Sequence, residues 1–229
     1  MGMAKMQRRE TPSRKMRRQV LLVDGHPILR EGFARVIDHE PDLKVCSQAD
    51  NALKALKDIA CLKPDLVIVD IALKGTNGIE LLKRIKALYP EVPVLVLSVQ
   101  DEALFAERAL RAGARGYVMK QAPTEEVMAA VRQVLRGGRY LSRKMQDRLL
   151  ENLSNAGGAG AVPGVDSLSD RELEVFQLVG SGAGTRQIAQ QLNLSIKTIE
   201  TYRAHIKKKL KLRNGMELIR LAVQRVNEQ

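Results

Sequence analysis

Five short apolar runs, each followed by a stretch of helical periodicity, constrain this chain more than any other feature of its sequence. The runs are residues 20–24 (VLLVD), 43–49 (LKVCSQA), 65–70 (DLVIVD), 92–98 (VPVLVLS) and 115–119 (RGYVM). Residues 27–38, 51–62, 77–88, 101–112 and 124–136 carry apolar positions at helical spacing. Strands that alternate with helices in this way must be joined by crossovers, which produce a parallel sheet covered on both faces. One doubly wound α/β domain is therefore filled by residues 19–136. At 229 residues the chain has room for a second, smaller domain.

The third run shows where chemistry belongs. Leu66, Val67, Ile68 and Val69 read as a fully buried strand between Pro64 and a turn cluster of Gly75, Asn77 and Gly78, and the strand ends on Asp70. An isolated aspartate there commonly only tethers a turn. Here Asp24 follows the first strand, Ser98 the fourth and Lys120 the fifth. The carboxyl ends of parallel strands share one edge, where open α/β sheets hold their ligands, so the four side chains should converge. No Gly-rich phosphate loop of the dinucleotide or Walker type is present, which argues against nucleotide binding. An aspartate-based phosphohydrolase has little support, because Ile71, Ala72 and Leu73 follow Asp70 where a second acid would be wanted. The chain is not read as an enzyme.

Cys46 and Cys61 lie in apolar settings without a partner at metal-ligand spacing, which fits a reducing cytoplasm. The apolar runs are too short to span a membrane. The net charge of +12 is uneven: residues 1–18 contribute seven basic residues against Glu10, and residues 197–213 hold seven against Glu200. The first cluster has no apolar period and reads as a disordered basic arm, or equally as an inert tail. The second points to nucleic acid. Residues 137–165 read as a linker with a short helix over 140–153, followed by the flexible composition NAGGAGAVPG.

Residues 166–229 read as a small all-α domain. Ser169 and Glu172 have capping-box spacing before a helix that starts at Asp170. A short helix capped by Thr185 follows, Asn193 suits the left-handed position that ends it, and Ser195 caps the next. Helix, tight turn, helix results. At about 100° per residue, Ile199, Tyr202, Ile206 and Leu210 share one face of the last of these, and Lys197, Thr201, Ala204 and Lys208 share the other. Small and basic residues on an outer face suit the major groove. Residues 216–226 are apolar on more than one face, which predicts pairing of two subunits through Leu218, Leu221 and Ala222.

The stretches VDGHP, VIVDIALKGTNGIEL, VLVLS and AGARGYVMK resemble the receiver domain of two-component response regulators of the LuxR/FixJ (NarL-type) family. That resemblance implies a flavodoxin-like fold, Asp70 as phosphoacceptor for a sensor histidine kinase, and Ser98, Tyr117 and Lys120 as switch residues. It also implies Mg²⁺ held by Asp24, Asp70 and the Ala72 backbone carbonyl. One departure stands out: Gly25 occupies the position of a second acid that would bind the metal directly, so Mg²⁺ binding should be weakened. Three readings stay open: weakened phosphorylation, a receiver regulated without phosphate, or an introduced substitution. His26, which precedes Pro27, reads as a helix-starting residue rather than a ligand.

LSDRELEVFQLVGSG, TRQIAQQLNLS and KTIETYRAHIKKKLKLRN resemble the LuxR-type helix-turn-helix. By position, Glu200, Thr201 and Ala204 would read bases in double-stranded DNA, and Lys197, Thr198, Lys207, Lys208 and Lys209 would lie near the backbone. Glu200 offers a carboxylate to a cytosine amino group, or pairs with Arg203 or Lys207 within its helix; both stand. The expectation is a cytoplasmic, homodimeric transcription regulator with RNA polymerase as a further partner. The rival from the binding-module class is a receiver that docks proteins without DNA.

Overall fold

The computed structural model describes residues 17–73, 76–155 and 164–227; the predicted basic arm, apart from Arg17 and Arg18, and most of the Gly-rich linker lie outside them. Five strands, β1 (Arg18–Val23), β2 (Leu43–Ala49), β3 (Leu66–Val69), β4 (Val94–Ser98) and β5 (Gly116–Met119), pair in parallel in the order β2-β1-β3-β4-β5. The connecting helices are α1 (Pro27–His39), α2 (Ala52–Leu62), α3 (Gly78–Leu88), α4 (Glu102–Ala112) and α5 (Thr124–Leu135). Arg18, assigned by sequence to the arm, opens β1 because the Asp65 carboxylate holds its guanidinium at 2.7 Å and its backbone pairs with β2.

Alternate strand residues face opposite layers, as the strand period of two requires. Val20, Leu22, Ile68, Leu95 and Val118 pack with Ile37, Val131 and Val134 of α1 and α5. Leu21, Val23, Val67, Val69 and Val96 pack with Ile59, Leu82, Ile85 and Phe105 of α2, α3 and α4. The chain order reverses between β1 and β3, so the loops after them open a crevice. Gly78 closes its floor: a side chain there would collide with the Asp70 carbonyl, and only hydrogen lets α3 begin so close to the strand tip.

Tyr140 lies against the free edge of β5, its carbonyl accepting from Tyr117 N at 3.0 Å. The following helix, α6 (Arg143–Asn155), starts three residues later than the sequence pattern places it. Its Met145 is buried against the same apolar layer that continues through Leu168 into the second domain. That domain comprises α7 (Asp170–Gly180), α8 (Thr185–Leu192), α9 (Ile196–Lys209) and α10 (Gly215–Asn227).

Most of the expected end signals appear as hydrogen bonds. Ser169 Oγ accepts from Glu172 N, Glu172 Oε2 accepts from Ser169 N at 2.7 Å, Asn193 sits at φ 52°, and Ser195 Oγ accepts from Thr198 N at 3.0 Å. Thr185 differs. The cap position of α8 is Gly184, whose N–H is satisfied by Gln187 Oε1 at 2.8 Å, and the Thr185 hydroxyl instead accepts from Arg203 of α9 at 3.1 Å.

Candidate functional site

Asp70 leaves β3 at the switch point with 1 % of its surface exposed; Ser98 and Lys120 meet it directly, and Asp24 joins it through Lys120. Its Oδ1 accepts from Ser98 Oγ at 2.6 Å and faces Ala72 N at 3.3 Å, while its Oδ2 accepts from Lys120 Nζ at 2.7 Å. The same ammonium donates to Asp24 Oδ2 at 2.5 Å. Burial alone would push the Asp70 carboxyl up, but His26, the Lys120 charge and the Lys120 and Ser98 hydrogen bonds hold it below the usual carboxylate value. Asp70 is thus an ionised, inward-facing carboxylate. Two buried acids share one buried cation, a geometry in which loss of the cation leaves like charges facing each other.

Tyr117 is fully buried on β5, two strands from β3, and its hydroxyl donates to the Gln100 carbonyl at 2.7 Å. Burial pushes its phenol well above the ordinary range, so it stays a donor.

His26 sits in the pocket as well. It occupies the cap position of α1, as its place before Pro27 predicts, and its Nδ1 also lies 3.1 Å from Asp24 Oδ1 and 3.7 Å from Asp70 Oδ2. The Asp70 carboxylate, ahead of any other influence, raises the pKa of the ring. Sequence reasoning set this residue aside; the HP dipeptide so soon after Asp24 was the available signal. One donor atom from each of Asp24, His26 and Asp70 lies within 4.8 Å of the other two. Two carboxylates and an imidazole make a set suited to a divalent cation, though not the all-oxygen set Mg²⁺ favours.

The second site is the outer face of α9. Ile199 and Ile206 are buried, Tyr202 and Leu210 pack partly against them, and Lys197, Glu200, Thr201, Ala204 and Lys208 are exposed in the presence of the receiver. Thr198 and Lys207 are half-buried at its margin. Lys209 points back into its own domain, where its Nζ donates to Glu172 Oε2 at 2.5 Å. Arg203 is taken by Thr185, and Glu200 forms no ion pair among the described residues, so the alternative pairing within the helix is not adopted.

The pairing residues need correction. Leu218 and Ala222 are fully buried within the domain, because α10 crosses α7 at Gly180, where a side chain would strike the Ala222 carbonyl. Leu221 is half-buried, and the apolar residues that α10 exposes are Met216 and Ile219.

Residues 20–132 match the family described as response regulator receiver domain, and residues 166–222 match bacterial regulatory proteins, luxR family. The oxygen regulatory protein NreC of Staphylococcus carnosus is 32 % identical over 211 residues, covering 90 % of this chain and 97 % of that protein. The chain is a LuxR-family response regulator. Among solved structures, a LuxR-family two-component response regulator from Aurantimonas sp. is 32 % identical, with a TM-score of 0.57, and covers 60 % of this chain and 99 % of its own. RcsB of Salmonella enterica serovar Typhimurium, solved on promoter rprA with the phosphomimetic BeF3-, is 26 % identical, with a TM-score of 0.59, and covers 89 % and 97 %. This response regulator accordingly joins a receiver to a LuxR-type DNA-binding domain and is a DNA-binding regulator of transcription. Among its described residues no helix is long and apolar enough to cross a membrane.

Proposed function

We propose that Asp70 accepts a phosphoryl group from the phosphohistidine of a sensor kinase and that its charge state sets how α9 meets duplex DNA. The observation that carries this reading is the buried, ionised Asp70 carboxylate bracketed by Ser98 at 2.6 Å and Lys120 at 2.7 Å. An Asp70 oxygen attacks phosphorus, the P–N bond to the kinase imidazole breaks, and its electron pair leaves with that ring. Lys120 and Ser98 then lie where the transferred oxygens need a cation and a donor.

A divalent cation, Mg²⁺ in the usual receiver pattern, would be held by Asp24, Asp70 and the Ala72 carbonyl and would supply charge neutralisation of the phosphoryl oxygens. Receiver and reading domain are coupled where the structure joins them. Asn77, just before α3, donates to Glu174 of α7 at 3.0 Å, and Lys83 and Arg108 reach Asp170 at 2.9 and 3.3 Å. A phosphoryl group on Asp70 would alter the packing of the adjoining loop and so bias this docked arrangement against an opened one.

On DNA, Glu200, Thr201 and Ala204 would face base edges, with Lys197, Thr198, Lys207 and Lys208 near phosphates. Two chains would pair through Leu221 and the exposed Met216 and Ile219 of α10, in the cytoplasm, and RNA polymerase is the partner such a complex would act upon. The test is acetyl-phosphate labelling followed by footprinting. The wild type should label and protect a site more strongly once labelled, and Asp70→Asn should do neither; labelling of Asp70→Asn at the wild-type level would refute the assignment.

A further inference from the structure

Gly25 has no side chain to offer a cation, and the residue beside it brings a nitrogen close to both carboxylates of the pocket. We infer that His26 is a metal ligand of the pocket and that it gives the pocket a preference for borderline divalent cations of the first transition row over Mg²⁺. This rests on reading Asp24 and Asp70 as a cation site and names the class of cation that site takes.

The three donor atoms are close enough together to be drawn onto one ion. His26 Nδ1 is 3.1 Å from Asp24 Oδ1 and 3.7 Å from Asp70 Oδ2. Bonds of roughly 2.0–2.2 Å at tetrahedral or octahedral angles set neighbouring donors about 3.0–3.5 Å apart, and the three atoms, all within 4.8 Å of one another, must draw together for a single ion to reach them. Lys120 engages the other oxygen of Asp24, Oδ2, which leaves Oδ1 facing the ring; on Asp70 it holds Oδ2 itself, at 2.7 Å, so an ion there shares that oxygen with the ammonium. The ring is placed by its backbone: His26 N donates to Asp24 Oδ1 at 2.7 Å, and Pro27 starts α1 immediately after. The imidazole is half exposed, so an ion can arrive from solvent without the pocket opening.

The chemistry then separates the cations. Mg²⁺ sheds water reluctantly and favours oxygen, so it gains little from an imidazole; with Gly25 supplying no carboxylate it keeps only the two aspartates, a carbonyl and water. Ions such as Co²⁺ and Zn²⁺ bind imidazole nitrogen well and gain from all three side chains.

Co²⁺ is the appropriate probe, because its visible absorption responds to a change of ligand set and coordination geometry. The full-length protein carries Cys61→Ser, to remove an exposed thiol. Equilibrium dialysis should show Co²⁺ bound at least tenfold more tightly than Mg²⁺. His26→Ala should weaken Co²⁺ by roughly tenfold or more and change its spectrum, while Mg²⁺ stays within about twofold, the scale on which ligand shells act. Gly25→Asp should strengthen Mg²⁺ and narrow the gap. Unchanged Co²⁺ affinity and spectrum in His26→Ala, with both cations weakened by Asp70→Asn, would overturn the inference and leave the cation site standing. If neither Asp70→Asn nor Asp24→Asn affects either cation, both readings fall.

Discussion

The receiver pocket and the outer face of α9 handle charge in opposite ways. In the pocket, Asp24 and Asp70 are nearly or wholly removed from water and share the buried cation of Lys120 at 2.5 and 2.7 Å. On α9, Lys197 and Lys208 are exposed and form no ion pair among the described residues. A buried cluster stores its electrostatic energy in place, so a change of one charge there must be met by a change in packing. An exposed row stores almost none and releases it when a polyanion displaces counterions. The first is suited to switching and the second to reading.

The sharpest way to break this contrast is to delete one cation from each side. Lys120→Met leaves two buried carboxylates facing each other and should lower stability by about 3–5 kcal/mol in metal-free buffer, measured by urea unfolding. Lys197→Ala and Lys208→Ala should each change stability by less than about 0.5 kcal/mol. Each should instead weaken DNA binding across sequences and reduce the salt slope by about one. Equal stability losses on the two sides would erase the distinction.

A second contrast lies within α10. Leu218→Ala should cost about 2–5 kcal/mol, because it opens a cavity under the α7 crossing, whereas Ile219→Lys should leave unfolding almost unchanged and weaken pairing on DNA in a sedimentation measurement. A large stability loss in Ile219→Lys would place that side chain in the core.

The smallest effect concerns the junction between the regions. Burial pushes the Glu174 carboxyl up from its ordinary 4.5, against the opposing pull of Arg171 and Asn77. The docked form therefore binds this proton more tightly than an opened form would. Its contribution is fully present below the ordinary value and is lost as pH rises through the raised one. Interdomain distance, followed by energy transfer, should lengthen as pH rises above the ordinary value, and Glu174→Gln should flatten that response.

The same contrast explains what could be read in the residues beforehand. The cap of α7 at Ser169, the turn at Asn193 and the packed stripe Ile199, Tyr202, Ile206 and Leu210 depend on neighbours a few positions away, so local pattern suffices. The pocket was legible because parallel strands force their exits together: Asp24, Asp70, Ser98 and Lys120 needed only the topology. His26 was missed because its place before Pro27 signals a helix start equally well, and its approach to Asp70 depends on the fold. Leu218 and Ala222 were misassigned because an apolar helix looks alike whether it meets another chain or its own α7; Gly180, which permits the close crossing, lies 38 positions before Leu218. Lys209 was grouped with its neighbours in sequence, but Glu172 from another helix claims it.

The claim that the Asp70 pocket governs the α9 surface is tested most directly by DNA affinity with and without beryllofluoride, in the wild type and in Asp70→Asn, at one fixed salt concentration. The wild type should bind its site more tightly with the phosphoryl mimic, and Asp70→Asn should show no difference. Equal affinity in the wild type with and without a bound mimic, or the same gain in Asp70→Asn, would contradict it.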